Sequence, residues 1–202
     1  MSFGGQQTKS FLGPLEGKTT AFLVGDRVSN LRFAEAILPL MAGDELGCDL
    51  LDLDAFYSSN LNSIAARVSP HDMGNFEITI PGPGSDLEST LASLFQEGRG
   101  RTLVIDSVNS LYQLLSSPNP KSSSRKFTFL ISALSVWARD NRRAVIASIY
   151  ERRTTPRAKM SRTLADAFDA AVSVSREARG MALRCERGST WRNGAFFLPF
   201  QM

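Results

Sequence analysis

Short, mostly apolar segments alternate with amphipathic helical patterns along this 202-residue sequence, and this alternation is what most constrains its fold. The segments 19–24 and 143–150 lack the regular polar alternation that a half-exposed strand shows. Strands that are apolar on both faces need a covering layer on each side, which parallel strands joined by helices provide. The sequence therefore predicts a three-layer α/β protein with a mostly parallel central sheet flanked by helices.

Periodicity, capping residues and breaking residues locate the individual elements. The predicted strands of the first three quarters of the chain are 19–24, 48–54, 76–80, 101–107 and 143–150. The predicted helices are 29–42, with Ser29 or Asn30 as its N-cap, and 60–68, 85–98 and 124–141.

The last part of the chain has a different pattern, in which strand-like segments follow one another with only short turns between them. The segments 170–177, 180–187 and 194–200 therefore predict antiparallel hairpins. The sequence has no internal repeat and no long linker. We expect a flexible N-terminal tail at 1–12 and one core domain over 13–202.

The composition is typical of a globular protein and argues against a membrane protein. Hydrophobic residues make up 43% and charged residues 21%, and no apolar run approaches the length of a membrane span. The first ten residues lack the apolar core of a signal peptide. We therefore expect an intracellular protein, in the cytoplasm or the nucleus.

Charge is unevenly distributed along the chain. The first 120 residues contain seven Lys/Arg against fourteen Asp/Glu, whereas the remainder contains sixteen against six. Such an asymmetry suggests an acidic face and a basic face, or a basic binding edge. The alternative is a set of solvated charges that folding mixes together.

The residues Gly17, Lys18 and Thr19 spell the end of a phosphate-binding loop, but their context argues against one. The phosphate-loop pattern places four residues between its two glycines, whereas Gly13 and Gly17 enclose only three. Such a loop also follows a strand and opens a helix, so that backbone N–H groups face the phosphates. Here the strand follows the motif, so the segment is interpreted as a turn leading into the first strand.

Two predicted strands deliver carboxylates at their ends, and these ends carry a resemblance to a known family. The segment "TLVIDSVNSLY" delivers Asp106 and then Ser107, and "DLLDLDAF" delivers Asp54. Together with the opening "FLGPLEGKTTAFLVGD" and the tail element "CERGS", these segments resemble the RecA/RadA/KaiC superfamily of recombinase-like ATPase cores over residues 11–200. The resemblance implies a RecA-like sheet that ends in antiparallel hairpins.

The same resemblance implies roles for individual residues. Asp106 takes the position of the Walker-B aspartate, which holds the magnesium shell, and Asp54 that of a catalytic carboxylate. Arg187, in "CERGS", takes the position of an arginine that reaches the nucleotide of a neighbouring subunit. The lysine of that family element is Cys185 here.

The sequence departs from the family at the phosphate-binding loop, which should follow the first strand. In the corresponding segment, Gly25–Leu31, only one glycine remains, and the lysine and hydroxyl positions fall on or beside Asn30. Asp26 adds a negative charge where a triphosphate needs positive charge. Phosphoryl transfer depends on that electrostatic stabilisation, so we expect no ATPase activity.

We therefore expect a degenerate core in which Asp54, Asp106 and Ser107 are vestigial, with no metal and no cofactor. ATP and magnesium would bind only if the atypical loop still holds them. The alternative that stays open is that Lys18 or Arg27 supplies the missing positive charge from outside the motif.

The resemblance also assigns DNA contacts to the loops that follow the Walker-B strand and the next strand, here 114–126 and 150–162. Both are cationic, and phosphate backbones need positive charge rather than a fixed shape. The alternative is a pair of solvated loops whose arginines pair with acidic neighbours or a partner subunit. The candidate nucleic-acid-binding residues are Lys121, Arg125, Lys126, Arg152, Arg153, Arg157, Lys159 and Arg162.

These observations favour a non-catalytic recombinase paralogue that binds single- or double-stranded DNA and assists homologous recombination and repair. It would act in an oligomer with itself or with an active relative, through surfaces that include Arg187, and without a membrane partner. Three alternatives stay open: a structural subunit of an Elongator-type ring that binds tRNA, a KaiC-like regulatory protein, and an ATPase with an atypical loop.

Overall fold

The structure, a computed structural model, contains one eight-stranded sheet. It describes residues 10–43, 47–81, 87–97, 102–116, 120–151, 162–188, 191 and 194–200. The strands are β1 (Thr19–Val24), β2 (Cys48–Asp52), β3 (Phe76–Thr79), β4 (Thr102–Asp106), β5 (Ala144–Tyr150), β6 (Ala170–Glu177), β7 (Gly180–Arg187) and β8 (Ala195–Pro199).

The strand order is β3-β2-β4-β5-β1-β6-β7-β8. Strands β1 to β6 pair in parallel, and β7 and β8 add to the β6 edge in antiparallel fashion. The register of β2 against β4 places Asp52 beside Asp106. The predicted mostly parallel sheet with C-terminal antiparallel hairpins is therefore confirmed.

Helices lie on both faces of this sheet. They are α1 (Arg27–Ala42), α2 (Phe56–Ser59), α3 (Leu61–Ala65), α4 (Leu87–Glu97), α5 (Val108–Leu114) and α6 (Pro120–Asp140). Short 3₁₀ turns occupy Gly13–Leu15 and Asp72–Asn75. None of the helices within the described ranges is long and apolar enough to cross a membrane.

Successive residues of the central strands enter two separate hydrophobic cores. On β1, Phe22 and Val24 pack with residues of α1 to α3, whereas Ala21 and Leu23 pack with residues of α4 to α6. Because side chains alternate across a strand, a strand that is buried on both faces must be apolar at nearly every position. This burial explains the apolar segments of the sequence and fixes the three-layer arrangement.

The core begins earlier in the chain than the sequence predicts. Phe11 is fully buried and Leu12 nearly so, and the Phe11 ring stacks on the Trp191 ring with 6.0 Å between centroids. Phe11 and Trp191 belong to the hydrophobic core that includes the residues of α1. The assignment of 1–12 to a flexible tail is therefore wrong for Phe11 and Leu12, while 1–9 lie outside the described part of the chain.

Three helix boundaries differ from the predicted ones. The N-cap of α1 is Asp26, not Ser29 or Asn30, because the Asp26 carboxylate accepts a hydrogen bond from the Ser29 backbone N–H. The segment predicted as one helix over 60–68 is helical only at α3, Leu61–Ala65, and the unpredicted helix α2 precedes it at Phe56–Ser59. Helix α6 begins at Pro120 rather than at residue 124.

Candidate functional site

Three aspartates meet where β2 and β4 end. Asp52 and Asp106 are the last residues of these neighbouring strands, and Asp54 follows two residues after Asp52. Each carboxylate offers an oxygen that lies within 4.8 Å of the other two. Parallel strands end at the same edge of a sheet, where ligand sites of such folds form. The two carboxylates that the resemblance singles out, Asp54 and Asp106, therefore lie together.

Asp106 is the most buried member of this cluster, with 0% of its surface exposed. Its Oδ1 atom accepts a hydrogen bond of 3.1 Å from the Asn30 amide and another from the Ser148 hydroxyl. Its Oδ2 atom has no hydrogen-bond partner within the described residues. A buried carboxylate that is satisfied on one oxygen only is costly to keep charged.

Asp54 has a similar imbalance. Its Oδ2 atom accepts hydrogen bonds from the hydroxyls of Ser107, at 3.4 Å, and Ser110, at 3.2 Å. Its Oδ1 atom is buried without a partner among the residues that the structure describes. Ser107 also caps α5 by accepting from the Ser110 backbone N–H at 3.3 Å. The predicted residues Asp54, Asp106 and Ser107 thus form one contiguous site.

Asp52 plays a structural part in the same cluster. Its two oxygens accept backbone N–H bonds from Phe56, at 2.7 Å, and Ser58, at 2.9 Å. Both oxygens are therefore occupied by the turn that leads into α2. Because the turn is held in this way, Asp54 is fixed against the end of β4.

The surroundings of Asp106 shift its protonation equilibrium. Burial raises the pKa of Asp106 to about 7, the nearby Asp54 charge adds to this, and the Ser148 hydrogen bond opposes it. Burial likewise raises the pKa of the Tyr150 hydroxyl, so that Tyr150 stays protonated beside Asn30. The site therefore holds a carboxyl group whose charge is poorly compensated by the protein.

The unpartnered oxygens of Asp54 and Asp106 are the atoms of this site that could hold a cation. Carboxylate oxygens are the ligands that divalent cations such as Mg²⁺ and Ca²⁺ prefer. Asp52 is a weaker candidate because backbone N–H groups already occupy both of its oxygens. The sequence prediction assigned no metal ligands. Among the described residues, the three aspartates form a group whose geometry could hold a metal ion.

The junction between β1 and α1 consists of only two residues, Gly25 and Asp26. The Asp26 carboxylate accepts from the Ser29 backbone N–H at 2.8 Å and from the Ser29 hydroxyl at 3.1 Å. The backbone hydrogen bond from Ser29 is the main reason that the pKa of Asp26 is lowered. The N-terminus of α1 therefore already carries a carboxylate from its own chain.

Asn30 links α1 to the carboxylate cluster, and sequence reasoning missed this role. Its side-chain amide donates to Asp106 and, at 2.9 Å, to the Tyr150 hydroxyl. The signals present in the sequence were a polar residue among the apolar positions of α1 and a serine, Ser148, within the apolar strand β5. The predicted N-cap role of Asn30 is wrong because the residue is buried within the helix.

The two residues proposed to replace the phosphate lysine lie in different places. Lys18 precedes β1, and its Nζ donates to the Pro14 carbonyl at 3.1 Å. At about 3.3 Å per residue, the length of β1 separates Lys18 from the junction by about 20 Å, so Lys18 cannot serve there. Arg27 lines a cavity of about 300 Å³ that Asp54 also lines.

The basic candidates divide between a helix and a segment that is not described. Lys121, Arg125 and Lys126 are exposed on the first two turns of α6, not in a loop as predicted. Arg162 is exposed, and its guanidinium pairs with Glu151 at 3.2 Å, as the alternative of acidic pairing expects. Four candidates lie outside the described residues: Arg152, Arg153, Arg157 and Lys159.

Arg187 is held within its own chain. Its guanidinium donates to the carbonyl oxygens of Ala165, at 2.9 Å, and Phe168, and lies 3.9 Å from an Asp166 oxygen. These contacts join the end of β7 to the segment before β6. A role for Arg187 towards a neighbouring subunit stays a prediction.

Comparisons with known proteins bear on the fold. No protein-family model matches the sequence, and no curated protein matches it. The solved structure of the RadB recombinase is similar, with a TM-score of 0.67 and 14% sequence identity, over 100% of this chain and 96% of that one. The sheet order, the two helical layers and this similarity together show that the chain has a RecA-like fold.

Proposed function

We propose that this chain is a non-catalytic recombinase paralogue, a RecA-like core that does not hydrolyse ATP and that binds DNA at the carboxyl ends of its strands. The observation that carries the proposal is the β1–α1 junction. Gly25 and Asp26 alone separate the strand from the helix, whereas a phosphate loop places a longer glycine-rich segment there. Too few backbone N–H groups are present to surround a triphosphate.

The charge of the junction also supports the loss of nucleotide binding. A phosphate at the N-terminus of α1 would have to displace the Asp26 carboxylate from Ser29 and would be repelled by it. The Asn30 amide, near the position where the resemblance implies a lysine, is already hydrogen-bonded to Asp106 and Tyr150. An amide supplies no positive charge to a developing phosphoryl transition state.

The exposed cations of α6 support DNA binding. Helix α6 leads back to the start of β5, so its N-terminus lies at the same edge of the sheet as Asp106. Lys121, Arg125 and Lys126 occupy its first two turns, where the helix dipole disfavours positive charge. A phosphate backbone at this edge would interact favourably with these charges. The cationic sequence 152–159, which lies outside the described residues, comes just after β5 in the chain.

The proposal places the chain in an assembly with itself or an active relative during homologous recombination and repair. The RadB neighbour is named a recombinase, and the similarity covers nearly the whole of both chains. An active relative would supply ATP hydrolysis, while this chain would supply shape and DNA contacts. Mixing the chain with a candidate relative and measuring the mass of the complex tests this part.

Calorimetry tests the nucleotide part of the proposal. Titration of the purified chain with ADP or a non-hydrolysable ATP analogue in the presence of Mg²⁺ is expected to give no saturable heat. ATP turnover by the chain that is abolished by Asp106→Ala would contradict the proposal and favour the atypical ATPase.

DNA binding is tested with charge changes at the two ends of α6. In fluorescence anisotropy, Lys121→Gln/Arg125→Gln should weaken binding, and the slope of log K against log salt should fall by about 0.9 for each duplex phosphate that the variant no longer neutralises. The matched control, Arg139→Gln/Arg142→Gln, removes the same charge at the opposite end of the helix. Equal losses in both variants, or tighter binding to tRNA than to DNA, would contradict a DNA-binding edge.

A further inference from the structure

A second cavity lies beside α1 and shares no lining residue with the cavity at Asp54. Its volume is about 240 Å³, and α1, the segment after α3, the turn between β6 and β7, and the residue after β8 all contribute to it. Three arginines line it: Arg32, Arg67 and Arg176. Since these residues come from three separate segments, the tertiary fold brings the three arginines to one cavity.

The cavity has more positive than negative charge. Its one acidic lining residue, Glu35, is buried, and its two oxygens accept hydrogen bonds from Arg32, at 2.7 Å, and from the Ser63 hydroxyl, at 2.5 Å. Glu35 thus fixes Arg32 in place. Among the lining residues, three arginines therefore face one carboxylate.

Arg176 is the lining arginine beside the turn between β6 and β7. It is exposed near the end of β6, two residues beyond Val174, which pairs with Val24 of β1. Its guanidinium makes no hydrogen bond or ion pair with the residues that the structure describes, although its charge helps to lower the pKa of Asp26. Arg176 therefore lines the cavity without a direct ion pair among the described residues, and Asp26 is a carboxylate that its charge reaches.

The chemistry of the lining indicates the ligand class. Arginines bind phosphate groups through paired, charge-assisted N–H···O bonds, so a cavity lined by three arginines suits a phosphate group. Phe200 closes another side of the cavity with an apolar ring, and its backbone N–H is fixed by the Arg179 carbonyl at 2.9 Å. The volume suits one or two phosphoryl groups rather than a large ligand.

We propose that the cavity between α1 and the β6–β7 turn binds the phosphate group of a small phosphorylated molecule, held by Arg32, Arg67 and Arg176. This inference does not rest on the proposed function. The DNA-binding candidates lie on other segments, and the cavity uses none of them. Failure of either proposal would leave the other intact.

The experiment is calorimetric titration with inorganic pyrophosphate at low salt. The wild-type chain is expected to bind with saturation, and Arg176→Gln and Arg67→Gln are each expected to weaken binding about tenfold, the usual effect of removing one charged hydrogen-bonding group. Arg179→Gln is the matched control. It removes the same charge three residues from Arg176, at a residue that does not line the cavity, and should change affinity less than about twofold.

Three results would overturn the proposal. The first is the absence of saturable pyrophosphate binding by the wild-type chain at millimolar concentration. The second is an equal loss of affinity in Arg179→Gln, which would indicate a diffuse cationic surface. The third is displacement of pyrophosphate by a short single-stranded oligonucleotide, which would assign the arginines to nucleic acid. Thermal unfolding of each variant verifies that the substituted chains remain folded.

Discussion

Two aspartates at opposite ends of the sheet show how differently the same side chain can be used. Asp169 lies before β6 at the amino-terminal edge, and its Oδ2 accepts hydrogen bonds from the Thr19 backbone N–H, the Thr19 hydroxyl and the Ser135 hydroxyl, at 2.7–2.9 Å. Asp106 lies at the carboxyl-terminal edge with one unpartnered oxygen among the described residues.

The donors around each carboxylate decide its pKa. Burial by itself raises the pKa of Asp169, but the hydrogen bonds from Thr19 and Ser135 and the charge of Arg139 together lower it below the usual value. Burial raises the pKa of Asp106 to about 7, and Ser148 and Asn30 compensate only in part. Asp169 therefore contributes to stability as an anion, whereas Asp106 as an anion reduces stability and marks a site.

The largest effect is expected from removing Asp169. Asp169→Ala would leave the Thr19 N–H and two hydroxyls without their acceptor and should lower the free energy of unfolding by about 3 kcal/mol, after allowance for partial exposure. Urea unfolding measures the change. Asp166→Ala, an exposed aspartate three residues earlier, is the control and should change stability by less than about 1 kcal/mol. Similar losses in both variants would show that Asp169 contributes no more to stability than an exposed aspartate does.

A smaller effect of opposite sign is expected at the other end of the sheet. Asp106→Asn replaces a poorly compensated carboxylate with a neutral amide of the same shape, whose N–H₂ group can donate to Asp54. In buffer with a chelator at pH 8, we expect the free energy of unfolding to rise by about 2 kcal/mol. A loss of stability at pH 8 would show that the Asp106 charge is better compensated than its contacts indicate.

The pH dependence of the stability gain in Asp106→Asn provides a control for this prediction. The pKa of Asp106 is about 7 in the folded chain, against 3.8 for an ordinary exposed aspartate, so the folded state binds the proton more tightly than the unfolded state does. The wild-type chain should therefore lose stability as pH rises from about 4 to 7, and the advantage of Asp106→Asn should vanish near pH 4. A difference between the two chains that does not vary with pH would contradict the raised pKa.

The smallest effect is expected at Asp26, a carboxylate that is satisfied but exposed. Asp26→Ala removes the N-cap of α1 and should cost about 1 kcal/mol of unfolding free energy, as such caps usually do. Asp26→Ser, which can still accept from the Ser29 N–H, should recover most of this loss. If the serine variant is as unstable as the alanine variant, capping is not the role of Asp26.

Sequence reasoning located the sheet well because burial on both faces determines the composition of its strands. The segments 19–24 and 143–150 correspond closely to β1 and β5, and the hairpins after residue 169 are present. The positions of Asp106 at the end of β4 and of Asp54 just after β2 followed from the same pattern. The short helices α2 and α3 were harder because neither N-cap residue, Ala55 or Asn60, makes a side-chain capping hydrogen bond.

The residues that hydrogen-bond to Asp106 could not be derived from the sequence because they are distant from it along the chain. Asn30 reaches Asp106 across 76 residues, and Ser148 reaches it across 42. No local pattern specifies such contacts, since they depend on how α1 packs over the sheet and on which strands are neighbours. Phe11 was misassigned for the same reason, because its partner Trp191 lies near the other end of the chain.

The short connection between β1 and α1 limits how this molecule could change. Exchanging side chains at Gly25, Asp26 or Asn30 would alter charge but not the number of peptide units that the turn contains. Under the proposed function, a gain of triphosphate affinity would require inserted residues together with a new register for the first turn of α1. Evolution by single substitutions has no direct route to that state, so a chain of this architecture is expected to keep its present chemistry even when its surface diverges.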